Sequence, residues 1–319
     1  MNTADIYDNI IVAHEQINSF ARRTPFIYSP SFSNDLDCEV YFKLENLQVT
    51  GSFKARGAVN KLLSLTEEEK IRGVISASTG NHGAAVSYGS KKLSIPATIY
   101  VPENASNAKL ENMKLYGAKI EFFGRDCVES EIKGREVSIA SRRAYISPYN
   151  DPSVIAGQGT IGLEIAEQAN QLDSVIVSVG GGGLISGIAS YLKKKIPGIR
   201  IIGCSPKNSA VMIHSMDAGR ILDLDSSPTL SDGTAGGIEK DSVTFKLCCD
   251  LIDQTVLIEE NEIIDSMVKY MRLEHQLIEG AAGTAVAALR KLKNNIKGQR
   301  VGVIICGSNI SLDTLKNIL

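Results

Sequence analysis

The sequence predicts an α/β protein made of two three-layer domains on mainly parallel sheets. Three observations carry this. The chain has 319 residues, more than one compact domain usually needs. Short β-rich runs alternate with helical stretches along most of its length, the pattern of parallel sheets covered on both faces. Two glycine-rich turns, within 78–83 and 178–187, each join a strand to a helix.

In order along the chain, Ile6, Ile10, Ile11, His14 and Ile17 fall at helical spacing, with Thr3 as a cap. Thr66 and Glu69 stand in capping-box register. "GVISAS" (73–78) reads as a strand, and "STGNHG" turns it into the helix "HGAAVSYGSKKL". "ATIYVP" (97–102) and "AKIEFFG" (118–124) are strands around the helical "ASNAKLENMKLYG", and a further helix follows. "SVIVSVG" (174–180) leads into "GLISGIASYLKKK", "RIIGCS" (200–205) into a mixed stretch, and "VGVIICG" (301–307) closes the series. There is no fixed-period repeat and no low-complexity linker. The expected division is therefore at ordinary loops: a large domain of 1–66 and 150–319, and a small mobile domain of 67–149.

Composition narrows the function. Hydrophobic residues make up 43% of the chain, enough for a sizeable core. The 34 basic and 36 acidic residues nearly balance, which gives no support for a nucleic-acid surface or a polybasic membrane patch. The first 20 residues lack a basic leader with an apolar core, and no apolar stretch is long enough to span a bilayer. The six cysteines are scattered without CxxC pairs and read as reduced thiols of a cytoplasmic protein. The four histidines, His14, His82, His214 and His275, are not spaced as metal pairs, so no metal is expected from them.

The chemistry concentrates in the glycine turns and one lysine. Gly180, Gly181, Gly182 and Gly183 end a strand and open a helix, where bare amides and the helix N-terminus favour a phosphate. A turn where backbones pack closely is the alternative. No Gly-Lys-Ser/Thr follows, and this turn does not match GxGxxG with a ribose-binding acid about 20 residues on, which disfavours dinucleotide binding there. "STGNHG" opens a second helix and suits a second anion, such as a substrate carboxylate. His82 there also reads as a buried structural histidine. "DGTAGG" (232–237) is a third glycine cluster, in a less regular region. Two anion cradles and Lys54, set in "GSFKARGA", suggest a phosphorylated aldehyde that bonds an amine: pyridoxal phosphate.

"TGSFKARGA", "STGNHG", "AGQGTIGLEI" (156–165), "GGGGLISG" and "CGSN" occur in an order that resembles the tryptophan-synthase-β-like (fold type II) pyridoxal-phosphate enzymes, above all the serine/threonine dehydratase group. The resemblance runs from "RRTPFIYS" to the final strand. It implies that Lys54 is the Schiff-base lysine, with Phe53 beside the cofactor ring and Gly180 to Gly183 on its phosphate. It implies that Asn81 bonds the phenolic oxygen, that Gly237 passes close to the cofactor, and that Glu279 lies near the pyridine ring. A helix-cap role for Glu279 stays open. Cys306 matches the position that meets the pyridine nitrogen, and a buried strand thiol fits it equally. Ser78, Thr79, Gly80, Asn81 and His82 would hold the substrate carboxylate.

The implied reaction is dehydration and deamination of a β-hydroxy L-amino acid, L-threonine or L-serine, to a 2-oxo acid and ammonia. Lys54 would be the base. Relatives that racemise serine carry a serine where this chain has Thr79, so racemisation is an alternative on an imperfect match. A non-standard substrate, such as threo-3-hydroxyaspartate or a hydroxyectoine breakdown product, is another, and an inactive cofactor-binding paralogue a third. Ser205, Ser209 and Val211 stand where relatives with a divalent cation supply carboxylates, so no metal is expected there. A homodimer is implied by resemblance. The chain ends after its last strand–helix unit, which favours a catabolic form without a feedback domain.

Overall fold

The computed structural model describes residues 3–105, 107–169 and 171–319, without the side chains of Thr3, Ala4 and residues 107–109. Helix α1 (Thr3–Ile17) buries Ile6, Ile10, Ala13 and Ile17. Ile11, grouped with that stripe on spacing, is 39% exposed; it lies about 100° around the helix from Ile10. The expected cap, the side chain of Thr3, lies outside the described residues. Next come β1 (Phe26–Tyr28), α2 (Pro30–Leu36), β2 (Glu39–Leu44), α3 (Lys54–Leu63) and α4 (Glu67–Arg72). Pro30 starts α2, where its missing N–H costs nothing, and Ser29 Oγ accepts from Phe32 N. The capping box before α4 is present: Thr66 Oγ1 accepts from Glu69 N, and the Glu69 carboxylate accepts from Thr66 N.

The middle of the chain forms its own sheet. Strands β3 (Val74–Ala77), β4 (Ala97–Val101), β5 (Lys119–Phe122) and β6 (Ala144–Tyr145) pair in parallel in the order β5-β4-β3-β6. The intervening helices are α5 (Asn81–Lys92), α6 (Asn107–Leu115) and α7 (Cys127–Ser141). Leu62, Val74, Ala85, Ile99, Val101 and Met113 form part of its apolar core.

The rest builds the larger sheet. Helix α8 (Pro152–Gln168) precedes β7 (Ser174–Ser178), α9 (Gly183–Lys195), β8 (Arg200–Pro206), α10 (Val211–Asp217) and α11 (Val243–Leu251). Then come β9 (Gln254–Ile258), α12 (Glu260–Glu274), α13 (Gly280–Lys291), β10 (Arg300–Ile305) and α14 (Leu312–Ile318). The strand order is β1-β2-β10-β7-β8-β9, and every pair but β1–β2 is parallel. The carboxyl ends of β2, β10, β7 and β8 therefore share one edge, where open α/β sheets bind ligands. Val175, Ile176, Val177, Val301, Val303 and Ile304 are buried on both faces, as a central parallel strand requires.

Among the described residues, no helix is long and apolar enough to cross a membrane. No group of three or more His, Cys, Asp or Glu among them is placed to hold a metal. All six cysteines are free thiols.

Candidate active site

The lysine segment is stitched to the end of β10. Phe53 N donates to Cys306 O at 3.0 Å, Ser308 N to Gly51 O at 2.9 Å, and Ser52 bridges Gly307. Gly51 sits at φ 73°, a conformation that favours glycine, and a Cβ there would come 2.6 Å from Asn309 Oδ1. Lys54 then opens α3, half-buried, with its Nζ donating to Pro148 O at 2.8 Å and lying 5.2 Å from the Phe53 ring centre. Burial lowers its pKa to about 8, against partial support from the Glu279 carboxylate. A neutral amine is thus within reach near neutral pH.

The tetraglycine turn is shaped by contacts that exclude any side chain. A Cβ at Gly180 would lie 2.8 Å from the Thr234 backbone, and one at Gly181 2.4 Å from the Tyr149 ring. Gly182 takes φ 85° and caps α9, which starts at Gly183 against the Tyr149 backbone. The first amides of α9 have no intrahelical acceptor, so the turn offers bare N–H groups at a positive helix end. Thr244 Oγ1 holds the Gly181 carbonyl at 2.6 Å. Glu239 N donates to the Tyr149 hydroxyl at 2.9 Å, which fixes the ring beneath the turn.

Asn81 begins α5, with no side-chain cap on Gly80 before it. The first α5 amides are again open. Ser78 Oγ accepts from Gly80 N at 3.2 Å. Ser78 and Thr79 are half-buried and Gly80 is exposed. A Cβ at Gly80 or at Gly237 would meet no atom within 4 Å among the described residues, so both glycines border open space there. The His82 ring is buried, with Nε2 donating to Ile146 O at 2.9 Å and Nδ1 without a partner among the described residues. Burial pushes its pKa to about 3, so the ring is neutral and structural; what it presents at the helix start is its amide.

Glu279 occupies the N-cap position of α13, yet its carboxylate makes no cap bond. It accepts from Asn81 Nδ2 at 2.9 and 3.0 Å and from Asn309 N at 3.1 Å. Asn309 Nδ2 in turn donates to Asn81 Oδ1 at 2.6 Å. Burial raises the Glu279 pKa to about 7 although the Asn81 bond opposes it. The Cys306 thiol is buried 3.9 Å from Glu279 Oε1. Burial, then the neighbouring carboxylate, holds it well above the usual thiol range, so it stays a neutral, weak donor.

The structure thus brings together Lys54, Phe53, Asn81, Glu279 and Cys306. The Pro148–Tyr149 step links them to the tetraglycine turn. The residues fit pyridoxal phosphate: glycine-only cradles, an amine near neutrality, and on buried Ser52, two residues from that amine, a hydroxyl with no partner among the described residues. Ser205 Oγ is spent on Val179 O at 2.7 Å and Ser209 Oγ on Ser226 Oγ at 2.7 Å. Sequence reasoning missed Pro148, Tyr149 and Thr234. It quoted Asn309 within "CGSN" but gave it no task. Nothing in the spacing of residues near 148 signals that the Tyr149 ring will meet the glycine turn at Gly181.

Four likenesses bear on this site. The family model described as "Pyridoxal-phosphate dependent enzyme" matches residues 17–307. The L-threonine ammonia-lyase of Thermotoga maritima is 38% identical over 312 residues, 98% of this chain and 77% of that protein. The L-threonine dehydratase catabolic TdcB of Escherichia coli (strain K12) is 39% identical over 313 residues, 98% and 95% of the two chains. Among solved structures, maize serine racemase superposes with a TM-score of 0.92 at 33% identity, covering 98% of this chain and 95% of the other.

Proposed function

Because the chain belongs to the pyridoxal-phosphate-dependent enzyme family, we propose that it deaminates a β-hydroxy L-amino acid, L-threonine or L-serine: the β-hydroxyl leaves as water, and hydrolysis of the resulting imine takes a water back and releases ammonia. The product is the 2-oxo acid. One observation carries the reading. Lys54 Nζ bonds the Pro148 carbonyl, and the next residue, Tyr149, packs against Gly181 and Gly183. Amine and anion cradle therefore meet one short segment at the carboxyl edge of the larger sheet.

When bound, the cofactor withdraws charge from the substrate Cα and acidifies its proton. Lys54 Nζ, kept near neutrality by burial, takes that proton as general base, a contribution of about 10²–10⁴-fold. The open amides at the start of α5, with the Ser78 and Thr79 hydroxyls, hold the substrate carboxylate. Gly180 to Gly183 hold the phosphate. Cys306, if it met the cofactor's ring nitrogen as the resemblance implies, would offer only a neutral thiol, a weak proton donor, which would favour elimination over long charge storage. Elimination is preferred to racemisation because threonine ammonia-lyases stand among the relatives, and Thr79, where the resemblance implies a serine in racemising relatives, points the same way.

The finer reading is a cytoplasmic homodimer whose small domain, 67–149, closes on substrate. Free thiols support a reducing compartment, and an apolar cluster around β3 to β6 distinct from that of the larger sheet, though shared with Ala58, Leu62 and Leu65, supports movement of the small domain against α3. Light scattering of the purified protein tests the dimer.

The test of function is a keto-acid assay over L-serine, L-threonine, their D-forms and threo-3-hydroxyaspartate, with chiral analysis of residual substrate. L-threonine or L-serine is expected to give product, and Lys54→Ala to give none. Full turnover by Lys54→Ala without added amine sinks the proposal.

A further inference from the structure

Arg56, two residues after Lys54, takes no part in the chemistry above, yet its side chain is 1% exposed. Its guanidinium meets two carboxylates. Nε and Nη2 donate to the two Glu45 oxygens, each at 2.8 Å. Nη1 and Nη2 donate to the two Glu164 oxygens at 2.6 and 2.9 Å. Nη1 also meets Thr160 Oγ1 at 3.1 Å, and Nη2 the Arg22 carbonyl at 3.1 Å. Lys43 Nζ bonds Glu164 Oε2 at 2.5 Å, so two cations face two anions and the buried cluster is neutral.

This cluster joins three elements that bear on Lys54. Glu45 directly follows β2, which lies beside β10 and hence beside Cys306. Glu164 and Thr160 belong to α8. Arg56 belongs to α3, where positions two residues apart point about 200° from one another. Arg56 therefore grips the side of α3 turned away from the site while Lys54 faces it. The same surface is interlocked at the backbone. A Cβ at Gly57 would lie 2.7 Å from Val154 O, and one at Gly157 2.6 Å from Arg56 O. Gly57 N also donates to Gln158 Oε1 at 3.2 Å. Upstream, Phe53 is tied to Cys306; downstream, Arg56 is tied to β2 and α8. Lys54 lies between the two anchors.

We propose that Arg56, clasped by Glu45 and Glu164, is a positioning residue that sets the rotation of α3 and so aims Lys54 Nζ at the reaction centre. The proposal rests on Lys54 being the cofactor-binding amine. It also explains the joint presence of "SFKARGA" and "AGQGTIGLEI": the second motif carries the socket for the first.

The test uses the full chain loaded with pyridoxal phosphate. Arg56→Lys keeps the charge but loses the planar fork. The cluster borders a cavity of about 120 Å³, from which water can solvate the shorter amine. The expected result is a kcat lower by about 10- to 100-fold with KM within about threefold. The visible absorbance of the lysine-bound cofactor should form more slowly, with a displaced pH midpoint. Lys61→Ala is the control, because it breaks the other ion pair of α3, to Asp151 at 2.8 Å, and should leave kcat and absorbance unchanged. If Arg56→Lys does not fold, the near-isosteric Glu45→Gln is read in its place, with the same direction of change expected.

A folded variant with wild-type kcat and absorbance overturns the proposal. So does an equal loss in Lys61→Ala, or failure of both cluster variants to fold, which makes the cluster a stability element alone. Failure of the functional reading looks different: wild-type protein would then show no visible absorbance with the cofactor and no borohydride-fixed adduct at Lys54.

Discussion

Lys54 should capture its cofactor with a pH dependence unlike that of an ordinary lysine. Only the neutral amine attacks a carbonyl carbon, and burial lowers the Lys54 pKa to about 8. At pH 7 about a tenth of it is then neutral, against about 0.04% for a lysine at the ordinary ~10.4. Capture at pH 7 should therefore run ~200-fold faster than for a free lysine of equal intrinsic reactivity. The rate should climb about tenfold from pH 6 to pH 7 and level off above about 8. Stopped-flow absorbance of cofactor-free protein mixed with pyridoxal phosphate measures this. Dividing by the rate of a simple amine, corrected for its own neutral fraction, removes the titration of the cofactor itself. Glu279→Gln removes a carboxylate that supports the ammonium form, so its midpoint should move lower still. A rate that keeps rising tenfold per pH unit to pH 10 would refute the reasoning. The linked stability has a definite sign. Between about 8 and the ordinary lysine value the unfolded chain holds a proton that the folded chain has released. Stability from this group therefore rises with pH across that window, and the gain of Lys54→Met over wild type in urea unfolding should shrink there.

Gly181→Ala would set a methyl 2.4 Å from the Tyr149 ring, which should cost ~1–3 kcal/mol in urea unfolding and weaken cofactor retention on dialysis; an unchanged midpoint counts against the packing described. Gly237→Ala points into open space, so the cofactor-free protein should unfold within ~0.5 kcal/mol of wild type. Its cofactor dissociation constant should nevertheless rise by about tenfold, or ~1.4 kcal/mol. Equal affinity would remove Gly237 from the cofactor site. Thr79→Ser should increase D-serine formation from L-serine, as chiral chromatography reads it. An enantiomer ratio identical to wild type removes position 79 from proton transfer.

The strand–helix alternation was legible because each signal is local. Short continuous apolar, β-rich runs gave β3, β4, β5, β7, β8 and β10, and the Thr66–Glu69 capping box formed as its spacing required. Strand β2 was not legible. Its run "EVYFKL" contains Glu39 and Lys43, and Lys43 is fully buried only because Glu164, far along the chain, neutralises it. Strand β9 was missed as a short run lying between two helices. The stripe of α1 was read one residue too wide at Ile11.

The site divides in the same way. A glycine that must take φ 85° or border a ring announces itself in the sequence, because no other residue tolerates the geometry. The tetraglycine turn and the amine of Lys54 were therefore visible as chemistry before any fold was known. Which groups face that amine was decided by strand order. Placing β10 between β2 and β7 brings Cys306 beside Phe53 and carries Glu279 to Asn81 across 198 residues. The protonation states that make the site reactive arise from this assembly, because desolvation acts on a group only once distant segments have closed over it. The residue types and their tolerable backbone shapes belong to the sequence; the low pKa of Lys54 and the socket that holds Arg56 belong to the tertiary structure.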